Sequence, residues 1–170
     1  MKHNYKDIEE KWQNRWEEAK IFEAKDGSDK PKFYGLVEFP YPSGAGMHVG
    51  HIKAYSSMEV ISRKRRMEGY NVLFPIGFDA YGLPTENYAI KTGIHPRKVT
   101  DMNIEKFTSQ LKRVGFSFDY SRVVDTTDDK YYKWTQWIFL KMFENGLVFR
   151  DKTLVNYCPS CKVVLSNEDS

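Results

Sequence analysis

The chain has 170 residues, 41% hydrophobic and 15% aromatic, enough for one globular domain with a respectable core. Its 26 Lys and Arg against 23 Asp and Glu leave a formal charge of +3, too small by itself to argue a nucleic-acid partner. No apolar run approaches the roughly 18 residues of a membrane span, and the N-terminal MKHNYKDIEEKW is too charged for a secretory signal, so a cytoplasmic address without membrane contact is expected, with both cysteines reduced or metal-bound.

Residues 5–19 place Tyr5, Ile8, Trp12, Trp16 and Ala19 at helical spacing among acidic residues, which predicts a surface helix packing its aromatic stripe on the domain that follows. A turn-rich link, Lys25 to Pro31, leads into Lys32–Phe39, whose Phe33, Leu36, Val37 and Phe39 predict a parallel strand covered on both faces; Glu38 interrupts it. The loop FPYPSGAGMHVG then opens a long amphipathic helix, His48 to Met67, stopped at Gly69. A second strand, Asn71–Ile76, completes a βαβ unit with its ligand crevice beyond the carboxyl ends of the strands.

A strand, a loop of Pro, Ser and Gly, and a helix start together make phosphate-binding architecture. Gly44 and Gly46 predict close ligand approach to the backbone, and the first helical turn predicts unpaired N–H groups facing an anion. His48 and His51, three positions apart, share a helix face and can both point at that anion. A structural His pair or a metal site is the alternative, although no HExxH-type third ligand accompanies them. Asp79, just past the second strand, can reach the same crevice and pair with an ammonium group, or it can simply fix a turn beside Gly77.

Arg63, Lys64, Arg65 and Arg66 sweep most of the helix circumference and read as a solvated helix end rather than a flat basic patch, with nucleic-acid contact as the lesser alternative. Thr100 or Asp101 is predicted to cap a helix carrying Ile104, Phe107, Leu111 and Val114 up to Gly115. Thr126 or Thr127 is predicted to cap another over Asp128–Asn145, and Leu147–Phe149 reads as a further core strand. Cys158 and Cys161 form a CxxC knuckle that supplies half of a tetrahedral zinc site or a redox pair.

Two stretches carry a family resemblance. PYPSGAGMHVGH resembles the leucyl-tRNA synthetase form of the HIGH motif of class I aminoacyl-tRNA synthetases, with His48, Val49, Gly50 and His51 in its four places. GFDAYGLPTENYAIK, Gly77 to Lys91, resembles that enzyme's GWDAFGLPAEN-type sequence with Phe78 for the usual Trp, and GFSFDYSR, Gly115 to Arg122, resembles its GFSYDWSR. The resemblance implies an α/β fold, the N-terminal half of a Rossmann-like (HUP-type) domain whose parallel sheet is flanked by helices. It implies a helical extension over 1–31, the first half of the catalytic domain over 32–150, and over 151–170 the start of an inserted cysteine-containing, editing-domain connection. The rest of such an enzyme, including the KMSKS loop, is missing, so little or no turnover is expected of this piece alone.

For the site, the resemblance implies ATP binding by Pro40, Tyr41, Pro42, Ser43, Gly44, Ala45, Gly46, Met47, His48, Val49, Gly50 and His51, with His48 and His51 catalytic. It implies amino-acid binding by Phe39, Tyr41 and Asp79, the last on the α-amino group. Leucine, ATP with Mg2+ and tRNA(Leu) are the implied partners of a monomer, with Zn2+ at Cys158 and Cys161 in an intact parent. Two rivals stand beside it. Gly44, Gly46 and Gly50 spell GxGxxxG, a near relative of the dinucleotide fingerprint of NAD(P)-dependent oxidoreductases, yet no acid ends the second strand to hold a ribose. A non-catalytic binding module on a synthetase fold would keep the framework helices without needing His48, His51 and Asp79.

Overall fold

Helix α1 (Tyr5–Glu18) precedes strand β1 (Lys32–Tyr34) in the computed structural model, which describes residues 4–42, 46–160 and 162–169. Helix α2 (Val49–Met67) crosses over to strand β2 (Asn71–Leu73), which pairs with β1 in parallel with Phe33 opposite Val72. This is the expected βαβ unit. Strand β1 is shorter than the Lys32–Phe39 run: the Gly35 N–H still reaches the Leu73 carbonyl at 2.9 Å, but beyond it the chain leaves the ladder. Gly35 passes so close to α2 that an added Cβ would lie 3.1 Å from the Ser62 hydroxyl, and Tyr34 and Leu36 are exposed. Only one face of β1 is therefore covered among the described residues.

The apolar run after α2 divides into β2 and β3 (Gly77–Phe78) around Pro75, which has no N–H to donate to a ladder. Strand β3 pairs in parallel with β4 (Val124–Asp125), so successive parts of one run have different partners. Helix α3 (Leu83–Thr92) lies inside the second motif stretch, starting with Pro84 in its first turn and ending at the left-handed Gly93. Helix α4 (Pro96–Val114) starts earlier than the Thr100–Asp101 cap expected. His95 is its N-cap, accepting the Arg97 N–H at Nδ1 (3.2 Å), and Pro96 fills the first helical position, where no N–H is needed. Phe107 and Leu111 are fully buried on its inner face. The core joins them to Tyr55 of α2, Val72, Phe74, Ile76 and Phe78 of the strand run, and Phe116 and Phe118.

The basic cluster on α2 is not a solvated end throughout. Arg66 donates to the Ser117 hydroxyl (2.5 Å) and carbonyl (2.9 Å), while Arg63 donates to the Gly115 carbonyl (2.8 Å) and pairs with Glu59. Buried Glu59 accepts from both the N–H and the hydroxyl of Ser117 at 2.9 Å. Arg63 also lies over the Trp16 ring, 4.9 Å from its centroid, so the stripe on α1 docks through a cation–π contact while Tyr5, Ile8 and Trp12 stay exposed. Only Lys64 and Arg65 behave as expected, pairing with Glu68 at the surface.

The chain divides into compact units at 1–132 and 133–170. Helix α5 (Asp129–Glu144) bridges that division. Its first turn is capped by Asp128, which accepts the Lys130 N–H at 2.9 Å, and not by either threonine; Thr127 is bonded to Asp125 instead. In the second unit, β5 (Asn156–Cys158) and β6 (Val163–Leu165) form an antiparallel hairpin. Leu147–Phe149 is not a strand, and Leu147 and Phe149 are exposed rather than core. No described helix is long and apolar enough to cross a membrane.

Candidate active site

The site is built where the βαβ crossover turns into α2. His48 is the N-cap, with extended backbone, and its Nδ1 accepts the Gly50 N–H at 3.1 Å. His51 reaches back, its Nδ1 accepting the His48 N–H at 3.2 Å. Two imidazoles thus form a reciprocal capping box, stacked with ring centroids 3.9 Å apart and planes 29° off parallel. Gly50 is required by this arrangement, because a Cβ there would stand 2.8 Å from Nδ1 and Cε1 of the His48 ring.

An N–H donated to Nδ1 needs a lone pair on that nitrogen, so each neutral ring carries its proton on Nε2. Both histidines therefore present an Nε2–H donor. Burial first, then the neighbouring His48, holds the His51 imidazole below its ordinary 6.5, against an upward pull from Glu38. The expectation of free backbone N–H groups facing an anion needs correction. The His48 and Gly50 N–H groups are used within the capping box, and the His51 N–H is bonded to the His48 carbonyl at 3.0 Å. Side chains, more than backbone, are the donors on offer.

Tyr55, one turn further along α2, is buried and donates to the Glu38 carbonyl at 3.0 Å, tying the end of the strand segment to the helix that carries the histidines. The carbonyl of Glu38 is thus structural. Burial, then Glu38, pushes the Tyr55 phenol up to about 12.

The second motif stretch is fitted against the first. Pro40 is buried and its carbonyl accepts the Asp79 N–H at 3.1 Å, while the half-buried Phe39 ring lies where a Cβ on Gly77 would come within 2.5 Å of it. Tyr41 repeats the device one step on: its ring fills the space beside Gly82, and its hydroxyl accepts the Thr85 N–H at 3.1 Å and meets the Thr85 hydroxyl at 2.6 Å. Buried Pro42 accepts from Asn103 Nδ2 at 2.9 Å. Ser43, Gly44 and Ala45 lie outside the described residues. Gly46 also makes a protein contact: a Cβ there would stand 2.9 Å from the Gln110 amide, and its φ of +88° is glycine's own. Met47 is half-buried, and Val49 is 84% exposed.

His51 meets the Phe107 ring edge-on at 6.1 Å, and Phe107 meets Phe78 at 6.4 Å. Asp79 follows Phe78 directly, exposed, with its backbone fixed on Pro40. Phe107 thus touches both His51 on the histidine turn and Phe78, the residue before Asp79. The loop contacts of Asn103 with the Pro42 carbonyl and of Gln110 with the Met47 N–H are not legible from spacing, since polar residues on a helix otherwise apolar toward the core read as solvent-facing. Cys158 ends β5, half-buried, while Cys161 lies outside the described residues; among those described, no group of three or more His, Cys, Asp or Glu could hold a metal ion.

Residues 11–170 match the family of tRNA synthetases class I (I, L, M and V). The chain belongs to that family. This class I chain is 60% identical over 167 residues to the leucine–tRNA ligase of Alkaliphilus oremlandii (strain OhILAs), covering 98% of itself and 21% of that relative. It also superimposes on the agnB2 LeuRS of Agrobacterium radiobacter K84, solved as a ternary complex with tRNA and LeuAMS, with a TM-score of 0.88 at 35% identity; the match covers 98% of this chain and 22% of that one. The class I chain thus spans about a fifth of the length of the relatives it matches. The dinucleotide reading of Gly44, Gly46 and Gly50, the first of which lies outside the described residues, gives way to this family match.

Proposed function

We propose that this chain carries the HIGH-motif half of a leucine–tRNA ligase, which activates leucine with ATP to leucyl-adenylate and passes leucine to tRNA(Leu). The observation that carries the reading is the stacked His48–His51 capping box, with two Nε2–H donors at the start of α2 and with His51 sharing Phe107 with Phe78, the residue before Asp79. The likeness to a leucine–tRNA ligase and to a structure holding tRNA and LeuAMS supports leucine, ATP and tRNA as partners.

In this reading a leucine carboxylate oxygen attacks the α-phosphorus of MgATP, the new O–P bond forms, and the bond to the β-phosphate oxygen breaks to release pyrophosphate. Negative charge grows on the phosphoryl oxygens as that happens. The two Nε2–H groups, already oriented by their own capping bonds, stabilise that charge without reorganising. The depressed proton affinity of His51 keeps it in the neutral, Nδ1-accepting form in which the box holds together. Asp79 pairs with the substrate ammonium, and Phe39 and Tyr41 line the approach to it. Pro40–Gly46, Met47, Val49 and Gly50 form the nucleotide side. No covalent protein intermediate is required.

Residues 32–150 would then be the nucleotide-binding half-domain, preceded by the 1–31 extension and followed by the start of an insertion. A zinc ion at Cys158 and Cys161 would need two further ligands from elsewhere. The parent is read as a cytoplasmic monomer, and this length alone as a poor catalyst. Calorimetric titration with leucyl-, isoleucyl- and valyl-sulfamoyl adenosine tests the reading: the leucyl compound is expected to bind most tightly and to lose affinity in Asp79→Ala. Equal affinity for all three, or indifference to Asp79→Ala, would overturn it.

A further inference from the structure

Helix α4 supports the signature loop from below at both ends. Asn103 Nδ2 donates to the Pro42 carbonyl at 2.9 Å, and Gln110 Oε1 accepts the Met47 N–H at 2.9 Å. The two side chains are seven positions apart, so they share one face of α4, and the fully buried Phe107 and Leu111 root that helix in the core. The Gln110 amide lies directly against Gly46, where a Cβ would be 2.9 Å from both its Nε2 and its Oε1. Met47, whose N–H Gln110 holds, immediately precedes the His48 cap.

We infer that Gln110, seconded by Asn103, is a positioning residue for the adenylate site: it fixes the exit of the glycine loop and so sets where the His48 and His51 imidazoles stand. The inference rests on the ligase reading for its consequence, though the loop contact stands by itself. A side-chain amide suits the task because it supplies an acceptor on a rigid helix. The glycine opposite it lets the loop backbone come down onto that acceptor. Without the acceptor the half-buried Met47 N–H would lose its partner and the loop exit its fixed height above α4.

Two variants separate the hydrogen bond from packing. Gln110→Met keeps length and volume but removes the acceptor; Gln110→Glu keeps an acceptor oxygen. Amide exchange of Met47 is followed by NMR in the ligand-free chain, beside His48 side-chain 15N shifts and melting temperature, and then leucyl-sulfamoyl adenosine is titrated. Met47 is expected to be protected in wild type and Gln110→Glu and to exchange about tenfold faster or more in Gln110→Met. His48 signals are expected to move only in Gln110→Met, whose affinity for the analogue falls about tenfold. Equal Met47 protection in Gln110→Met, or exposed-amide exchange in wild type, overturns the inference. The wild-type and Gln110→Glu measurements decide it if Gln110→Met does not fold. A wild-type chain that ignores the analogue overturns the ligase reading instead, and Met47 exchange still decides whether Gln110 holds the loop.

Discussion

The ring of His48 lies over Gly50, its Nδ1 3.1 Å from the Gly50 N–H, in a space that any Cβ at position 50 would enter at 2.8 Å. The glycine of the signature is thus the seat of its first histidine. Gly50→Ala is expected to displace the ring, break one half of the capping box and cost about 1 kcal/mol, the usual worth of an N-cap. Affinity for an adenylate analogue should fall far more than stability does. Urea denaturation beside calorimetry measures both, and an alanine variant that binds normally would refute the assignment.

Lowering the pH should dismantle the same box. The folded-state pKa of His51 lies below its ordinary 6.5, so between the two values the unfolded chain binds more protons than the native one. The contribution of His51 is therefore fully present above about 6.5 and is lost as pH falls through the lower, folded-state value. Melting temperatures from pH 8 to pH 5 should drop more steeply for wild type than for His51→Gln. Parallel profiles would show that His51 has no such linkage.

Phe39 on Gly77 and Tyr41 beside Gly82 interlock the two motif stretches. Gly77→Ala has no room, since the Phe39 ring would be 2.5 Å from the new Cβ. Overpacking of this kind costs about 1–3 kcal/mol, and Phe39→Leu in the same chain should recover part of it. A double mutant no more stable than Gly77→Ala would argue that the ring is not what the glycine accommodates.

Glu59 holds the other end of α2. It is buried, bonded to Ser117 twice at 2.9 Å and paired with Arg63, so Glu59→Ala strands several donors at once. Leaving the buried Ser117 N–H and hydroxyl without their acceptor costs about 1–3 kcal/mol, and the part-exposed Arg63 adds little. Chemical denaturation should show a loss in that range, and a loss below about 1 kcal/mol would place the network in solvent.

What the sequence disclosed follows the reach of each signal. The strand–helix–strand order, the start of α2 at His48 and the glycine stops at Gly69 and Gly115 depend on local chemistry that periodicity and capping rules read well. Strand length does not: Lys32–Phe39 is largely apolar, yet it leaves the ladder after Gly35, which passes close over Ser62 of α2, a contact made far along the chain. Leu83–Pro84 offered a helix start that the motif around it obscured, and Pro96 likewise marked α4 four residues before the threonine expected to cap it. Arg63 and Arg66 look like a charged helix end in sequence. Their true partners, Gly115 and Ser117, come from a segment some fifty positions away, which no local pattern reveals. At the site, the histidine pair was legible while its capping role was not, since a reciprocal box made of two imidazoles uses residues that capping rules do not anticipate.

The central claim is that two Nε2–H imidazoles at one helix start face an adenylate. Long-range 1H–15N correlation on the histidine-labelled chain, recorded while leucyl-sulfamoyl adenosine is added, tests it most directly. His48 and His51 should both show the Nε2–H tautomer, and both should shift on binding while His95, the cap of α4, stays in place. An Nδ1–H tautomer at either position, or ligand binding that leaves both imidazoles unmoved, would contradict it.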